Sequence, residues 1–320
     1  MERSGLTYRS LMVKQTPSPF ARSRPAFKVP AVCAAIFLLA LAANAQNSAT
    51  PLTPSEIREL IARAIVAQHK DDAALDEYER TERVVTRERD GAMHETTSRV
   101  VPHGSTGTFR VQLEHDGMAT DPRTLATQWL NVQKTMAIYA DTNNPAVKSD
   151  LEKAARETRE IDRLKDAIAK AFVFHWVART TRAGRTMVEV SFEPDPEYKP
   201  NFRYANLLQH IRGVAWVDES TGHVARVEAN LFDDVSFGGG VIAKLYRGAH
   251  MTYDQAEMAP GIWLPTGYDV DIDGRKFVFP LNLHQRDEIT AYRRVGQPQE
   301  AVALLEHDLP VVPAADPPAR

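Results

Sequence analysis

The residues of this 320-residue chain whose types and spacing best suit chemistry are Asp269-Val270-Asp271-Ile272-Asp273-Gly274. Three carboxylates at alternate positions could open a calcium loop, which needs a bidentate carboxylate at its twelfth position. That position is Pro280. Val270 and Ile272 alternate with the acids, so the segment reads as a strand with one wet face ending in an Asp-Gly turn. Asp218-Glu219 and Asp233-Asp234 could be acid pairs for hydrolysis, but both sit in turn-like sequence with no third partner. His175, His210, His223, His250 and His284 are scattered without zinc-ligand spacing. No serine lies in a Gly-x-Ser-x-Gly elbow. Gly238-Gly239-Gly240 lacks the lysine and helix of a phosphate loop and reads as a bulge or sheet bend. The sequence therefore assigns no catalytic residue, no metal ligand and no cofactor.

Two other groups could bind rather than react. Arg80, Arg83 and Arg87 alternate with Glu82 and Glu88 in a segment with almost no apolar face. Such a pattern makes a cross-strand charge ladder on a solvated edge. Its functional reading is an arginine-lined rim for a lipid carboxylate, a phosphate or a partner protein. Trp129, Phe172, Trp216, Phe237 and Trp263 are the candidate lining of an apolar cavity, and at strand or helix spacing they are core residues by default.

The elements that must position these residues follow from periodicity. Thr53-Pro54-Ser55-Glu56 is a capping box with proline at the first helical position, and Ile57, Leu60, Ile61 and Ala64 form an apolar stripe behind it. Tyr78 to Arg89 and Met93 to Val101 read as a long hairpin around Asp90-Gly91, and Phe109 to Leu113 adds a strand. Asp121-Pro122 caps a helix with Leu125, Trp129, Val132 and Met136 on one face. Ser149 and Glu152 read as a second capping box for a helix that follows, and the pair is expected to pack over the sheet as a lid. Strands resume at Phe172 and run in successive hairpins to Tyr292, interrupted by a short helix over Asn201 to Ile211.

The clearest hairpin is Gly213 to Leu231. Strict alternation places Val214, Trp216, Val224 and Arg226 on one side and Ala215, Val217, Ala225, Val227 and Ala229 on the other. Gly222 closes its turn with a positive φ. The small residues on the apolar side call for something bulky above them.

The first 45 residues are cationic, and the apolar run Ala31 to Ala43 ends at Ala43-Asn44-Ala45. This is the pattern of a secretory signal peptide cleaved after Ala45. The run is too short for a spanning helix, which needs about 20 residues. Cys33, the one cysteine, lies inside the leader, so the mature chain has neither disulfides nor a thiol nucleophile. A formal charge of −3 offers no polybasic field for nucleic acid or anionic lipid. Residues 46–51 read as a tether, 52–295 as a single domain, and the Pro-rich segment 296–320 as a disordered tail.

The strand run around Trp216-Val217-Asp218-Glu219-Ser220-Thr221-Gly222-His223, with Gly261-Ile262-Trp263-Leu264-Pro265 opening a later strand, resembles the LolA-like outer-membrane lipoprotein-sorting superfamily. The resemblance is best from Phe172 to Tyr292 and absent from the helical segment at 120–171, and no functional position of that family matches residue by residue. It implies an α+β fold, a curved antiparallel sheet forming an open half-barrel wrapped over helices; the residues themselves give about nine or ten strands, and the helical hairpin at about 120–171 departs from the family as an insertion. It also implies a periplasmic, non-enzymatic protein that binds or carries a lipid, a lipoprotein acyl chain or another apolar ligand. The alternatives are an envelope sensor or protein-interaction module working with envelope proteins, and an enzyme with a dispersed site.

Overall fold

The computed structural model describes residues 50–306 apart from 200–201, 203–204, 238–241 and 278. The leader, most of the tether, Gly238-Gly239-Gly240 and residues 307–320 lie outside the described residues.

Helix α1 (Pro54–Leu75) begins at its capping box. The Glu56 N–H donates to Thr53 Oγ1, and the Thr53 N–H donates to Glu56 Oε2 at 2.7 Å. A meander follows: β1 (Tyr78–Arg87), β2 (Met93–Pro102), β3 (Thr108–His115) and β4 (Met118–Ala119). Helices α2 (Pro122–Ala140) and α3 (Pro145–Ala171) precede β5 (Phe172–Arg182) and β6 (Arg185–Pro194). The short α4 (Ala205–Leu208) leads into β7 (Ile211–Asp218), β8 (Val224–Leu231), β9 (Val235–Phe237) and β10 (Ala243–Leu245). The long strands β11 (His250–Ala259), β12 (Ile262–Lys276) and β13 (Phe279–Arg294) come next, and α5 (Pro298–Glu306) closes the described chain.

All strand pairs are antiparallel, in the order β4-β3-β2-β1-β13-β12-β11-β8-β7-β6-β5, with β10 on β12 and β9 on β10. The protein is thus an α+β fold with a curved, open antiparallel sheet. Among the described residues it has 13 strands where nine or ten were expected. The surplus comes from pieces of two or three residues, β4, β9 and β10, which are too short to show a period.

Register assigns every side chain to one of two faces. One row runs Trp176, Val190, Ala215, Val227, Tyr253, Tyr268, Asp287, Val84 and Thr96, from β5 to β2. Helix α1 lies on this face. Its Ile57, Leu60, Ile61 and Ala64 pack with Val188, Val190, Phe192, Ala215, Val217 and Ala229, and the end of α3 adds Ala167 and Ala171. The small residues of the Gly213 hairpin are therefore filled by α1. Gly213 itself is required, because a Cβ there would stand 1.9 Å from Glu228 O and 2.7 Å from Phe192 Cζ.

Five sequence expectations are corrected. The β7–β8 ladder has a bulge, since Trp216 pairs with Arg226 but Val217 with Val224. Ala225 is the extra residue, so Val224 joins the α1 side and Ala225 packs with Trp263 and Met187. Helix α3 starts one turn before Ser149, capped by Asn144 Oδ1 with Pro145 at N1. The helical pair does not act as one lid: α3 contacts α1, whereas Trp129, Val132 and Met136 of α2 pack on Val101 and Val111, which face away from α1. Residues 298–306 of the expected tail form α5, whose Ala301 and Leu305 are buried against α2. Asp273-Gly274 is no turn; β12 runs through it, and Gly274 lets the Lys244 carbonyl of β10 approach.

Candidate binding face

The α1 face changes character halfway across the sheet. Over β5 to β8 it is apolar and buried. Over β11, β12, β13 and β1 the same rows carry Tyr253, Tyr268, Asp287 and Gln285, all half-buried. The tyrosine rings of 253 and 268 lie 5.2 Å apart. A register shift in β13 opposite Glu79 and Thr81, with Ala291 at φ 53, sets Tyr292 beside Tyr78, at 6.4 Å between ring centroids.

Arg80 is the charge at the centre of this polar half. Its Nε donates to Glu82 Oε1 at 2.7 Å, and Arg110 bonds the other oxygen of Glu82 from β3. Glu82 is buried, and the two guanidiniums supply its carboxylate with charged hydrogen-bond partners. Arg80 Nη1 is enclosed and has no hydrogen-bond partner among the described residues. Burial pushes the phenols of Tyr253, Tyr268 and Tyr292 up, with Arg80 acting against it at the latter two. Burial likewise raises the Asp76 carboxyl to about 6, helped by Asp72, and raises that of Asp287.

Beyond the tyrosines, toward the tip of the β12–β13 hairpin, the face turns apolar again. Val270, Ile272, Leu281 and Leu283 are half-buried, and Leu245 of β10 joins them across Gly274. Phe237 sits on the same face, one row on, through Ala243 and Lys276. Phe279 is 69 % exposed. None of these residues belongs to the core clusters formed by the described residues.

The opposite face is a charge lattice. Arg226 Nη1 donates to Asp254 at 2.6 Å, Arg182 to the same carboxylate at 2.9 Å, and Arg83 to Glu95 at 2.6 Å. Arg83, Arg182, Arg226 and Asp254, with Arg286, Asp269 and Glu288, line a groove of about 490 Å³. Its charges are already paired with one another, which leaves little to offer a charged ligand.

The three arginines of the expected rim therefore split. Arg83 and Arg87 stand on the lattice face, while Arg80, an odd number of residues away, points to the α1 face and is half-buried against Glu82. The five candidate lining residues do not converge either. Phe172 is in the α1 core and Trp129 in the α2–α5 cluster, and only Trp216 and Trp263 share a cluster. Phe237 alone reaches the half-covered apolar strip. Sequence reasoning missed Tyr253, Tyr268, Ile272 and Leu283. The signal available was the alternation of apolar residues with the acids of β12, read there only as a wet face.

A second polar group is buried where α1 meets the β7–β8 turn. Asp71 Oδ1 accepts the Trp263 N–H at 3.0 Å, and His223 Nε2 lies 3.5 Å from Asp71 Oδ2 while its ring stacks on Trp263 at 5.4 Å. Burial pushes Asp71 up to about 6 and His223 down. Both residues are packed inside, so the pair is a latch between elements rather than a reactive centre.

No protein-family model matches the sequence, and no curated protein matches it. Among solved structures the chain is similar to a domain described as an outer membrane lipoprotein-sorting protein domain from Vibrio parahaemolyticus. Identity is 6 %, with 77 % of this chain and 99 % of that one covered and a TM-score of 0.29. A DUF1329 family protein from Desulfovibrio piger ATCC 29098 matches at 12 % identity over 75 % and 93 % of the two chains, also with a TM-score of 0.29. MucB, solved in complex with MucA, matches at 10 % identity over 74 % and 98 %, with a TM-score of 0.22. No described helix is long and apolar enough to cross a membrane.

Proposed function

We propose that the chain is exported to the periplasm and binds an amphipathic ligand, a lipid or lipoprotein acyl chain, without chemical turnover. The observation that carries this reading is the half-covered part of the α1 face. There a strip of Val270, Ile272, Leu281, Leu283 and Leu245 adjoins a tyrosine-lined patch around Arg80. The tail of the ligand lies on the strip, where each methylene removed from water contributes about 0.8 kcal/mol. Its polar end lies beside Tyr268 and the Arg80–Glu82 pair; the hydroxyls of Tyr253 and Tyr292 are already bonded to Gln255 and to Pro265 O and serve as the wall of the patch. Trp216 and Trp263 support the sheet from within and do not touch the ligand.

The test is native mass spectrometry with lipid extraction on residues 46–320 purified from a periplasm. A co-purifying lipid near one per chain, lost in the folded Ile272→Asp and Leu283→Asp variants, supports the carrier. A protein that arrives empty and ignores added lipid sinks it and turns attention to envelope protein partners. N-terminal sequencing of the same material checks cleavage after Ala45.

A further inference from the structure

Ten histidines occur in the chain, and two of them meet at the far edge of the sheet. His94 of β2 and His115 of β3 lie side by side on the α1 face, with rings stacked at 6.2 Å and an interplanar angle of 10°. Asp116, in the turn to β4, stands between their nitrogens. His94 Nδ1 is 2.9 Å and His115 Nε2 is 3.5 Å from the same oxygen, Asp116 Oδ2. Three ligands around a tetrahedral zinc would be separated by about 3.3 Å, given metal–ligand bonds near 2.0–2.1 Å. The two imidazole–carboxylate distances bracket that value, and all three donor atoms lie within 4.8 Å of one another, so closing on an ion takes a shift of at most about 1.5 Å between the two imidazoles.

The outer contacts already aim these donors. The Glu95 N–H donates to Asp116 Oδ1 at 2.7 Å, which anchors one carboxylate oxygen and turns the other toward the imidazoles. Asp116 takes φ 48 to reach this place, a backbone region that side chains other than glycine occupy at a cost. Thr96 Oγ1 lies 2.9 Å from His115 Nδ1. With that nitrogen donating to the hydroxyl, Nε2 presents its lone pair, as in many protein zinc sites. Glu88 and Asp90 add negative potential at His94.

A comparison within the same sheet sharpens the choice. Asp271, Asp273 and His284 also converge, on the opposite face. There Arg87 Nη2 sits 3.3 Å from Asp271 and 3.1 Å from His284 Nδ1, and Asn282 bonds Asp273. A guanidinium occupying the donors repels a divalent cation. Among the described residues, the hydrogen-bond and ion-pair partners of the first group's side chains are Thr96, the Glu95 N–H and one another, with no guanidinium or ammonium in their place.

We propose that His94, His115 and Asp116 form a zinc-binding site with three protein ligands and a fourth position open to solvent. Two imidazoles and one carboxylate suit zinc better than calcium or magnesium, which prefer oxygen donors alone. The bound ion ties the β3–β4 turn to β2 and so fastens the edge of the sheet.

The experiment is titration of the untagged, metal-stripped protein with Zn²⁺ by calorimetry, and with Co²⁺ by visible absorption. One ion per chain is expected at micromolar affinity or tighter. His94→Gln, His115→Gln and Asp116→Asn each weaken binding at least about tenfold, Asp116→Asn keeping the acceptor for Glu95 N–H, and Thr96→Val weakens it by about tenfold. His284→Gln leaves it unchanged. Circular dichroism confirms that each variant is folded. Absence of binding at about 100 μM Zn²⁺, or binding that survives His94→Gln and His115→Gln, overturns the proposal.

Discussion

Asp71 of α1 and His223 of the β7–β8 turn face one another at 3.5 Å in a buried site roofed by Trp263. The two groups push stability in opposite directions with pH. Asp71 has a folded pKa of about 6, raised by burial from 3.8, so the folded state holds its proton more tightly than the unfolded chain. Its contribution is fully present below about pH 4 and is lost as pH rises through 6. His223 has a lowered folded pKa, so the fold loses stability as pH falls below the ordinary histidine range.

Asp71→Asn separates these contributions. The amide retains an acceptor for the Trp263 N–H and removes the buried charge. The variant is expected to be more stable than the parent at pH 8, on the order of 1–2 kcal/mol, with the difference closing by about pH 4. Urea unfolding at the two pH values measures it. Equal or lower stability at pH 8 would mean that the charged carboxylate is compensated within the latch.

Arg80 and Arg83 give a direct test of the two faces. Arg80→Met leaves the buried Glu82 with Arg110 alone and is expected to cost on the order of 3 kcal/mol. Arg83→Met removes an exposed pairing with Glu95 and is expected to leave the unfolding midpoint unchanged. Equal effects would contradict the alternation that sends the two arginines to opposite sides.

The outcome for these arginines marks what alternation can and cannot reveal. Strand positions, the first capping box and the turn at Gly222 were legible, because each is written in local residue types. The bulge at Ala225 was not, since one unpaired residue reverses the facing of those beyond it without changing composition. The stripe of Trp129, Val132 and Met136 announced a buried helix face but not which side of the sheet would receive it. Helix α5 was hidden by the prolines around it, although Ala301 and Leu305 sit four apart as a buried helical pair should. The half-covered strip was the hardest to see. Ile272 and Leu283 look like any strand residues until register sets them opposite each other, half-buried and outside the core clusters of the described residues.

Gly213 carries a packing requirement that any side chain violates. Gly213→Ala drives a methyl into the Glu228 carbonyl and the Phe192 ring, neither of which can move without breaking the β7–β8 ladder or the core beneath α1. A loss of at least about 3 kcal/mol, or failure to fold, is expected. Gly91→Ala is the control. Its Cβ would meet nothing within 4 Å, so only the strain of φ +87 remains, on the order of 1 kcal/mol. Thermal unfolding of the pair distinguishes collision from strain.

Ala291 stores strain that substitution can release. It lies exposed near the C-terminal end of β13 at φ 53, next to Tyr292, whose hydroxyl donates to Pro265 O at 2.6 Å. The left-handed conformation costs an alanine about 1–2 kcal/mol relative to glycine, against a chain-entropy penalty for glycine of about 0.5–1 kcal/mol. Ala291→Gly is therefore expected to raise stability by up to about 1 kcal/mol, seen as a higher melting temperature, with Tyr292 still bonded to Pro265. Ala291→Val, which adds a β-branch in the same conformation, is expected to lower it. If both changes were neutral, the Ala291 bend would not be a strained point, and the placement of Tyr292 would have to rest on its packing with Tyr78 alone.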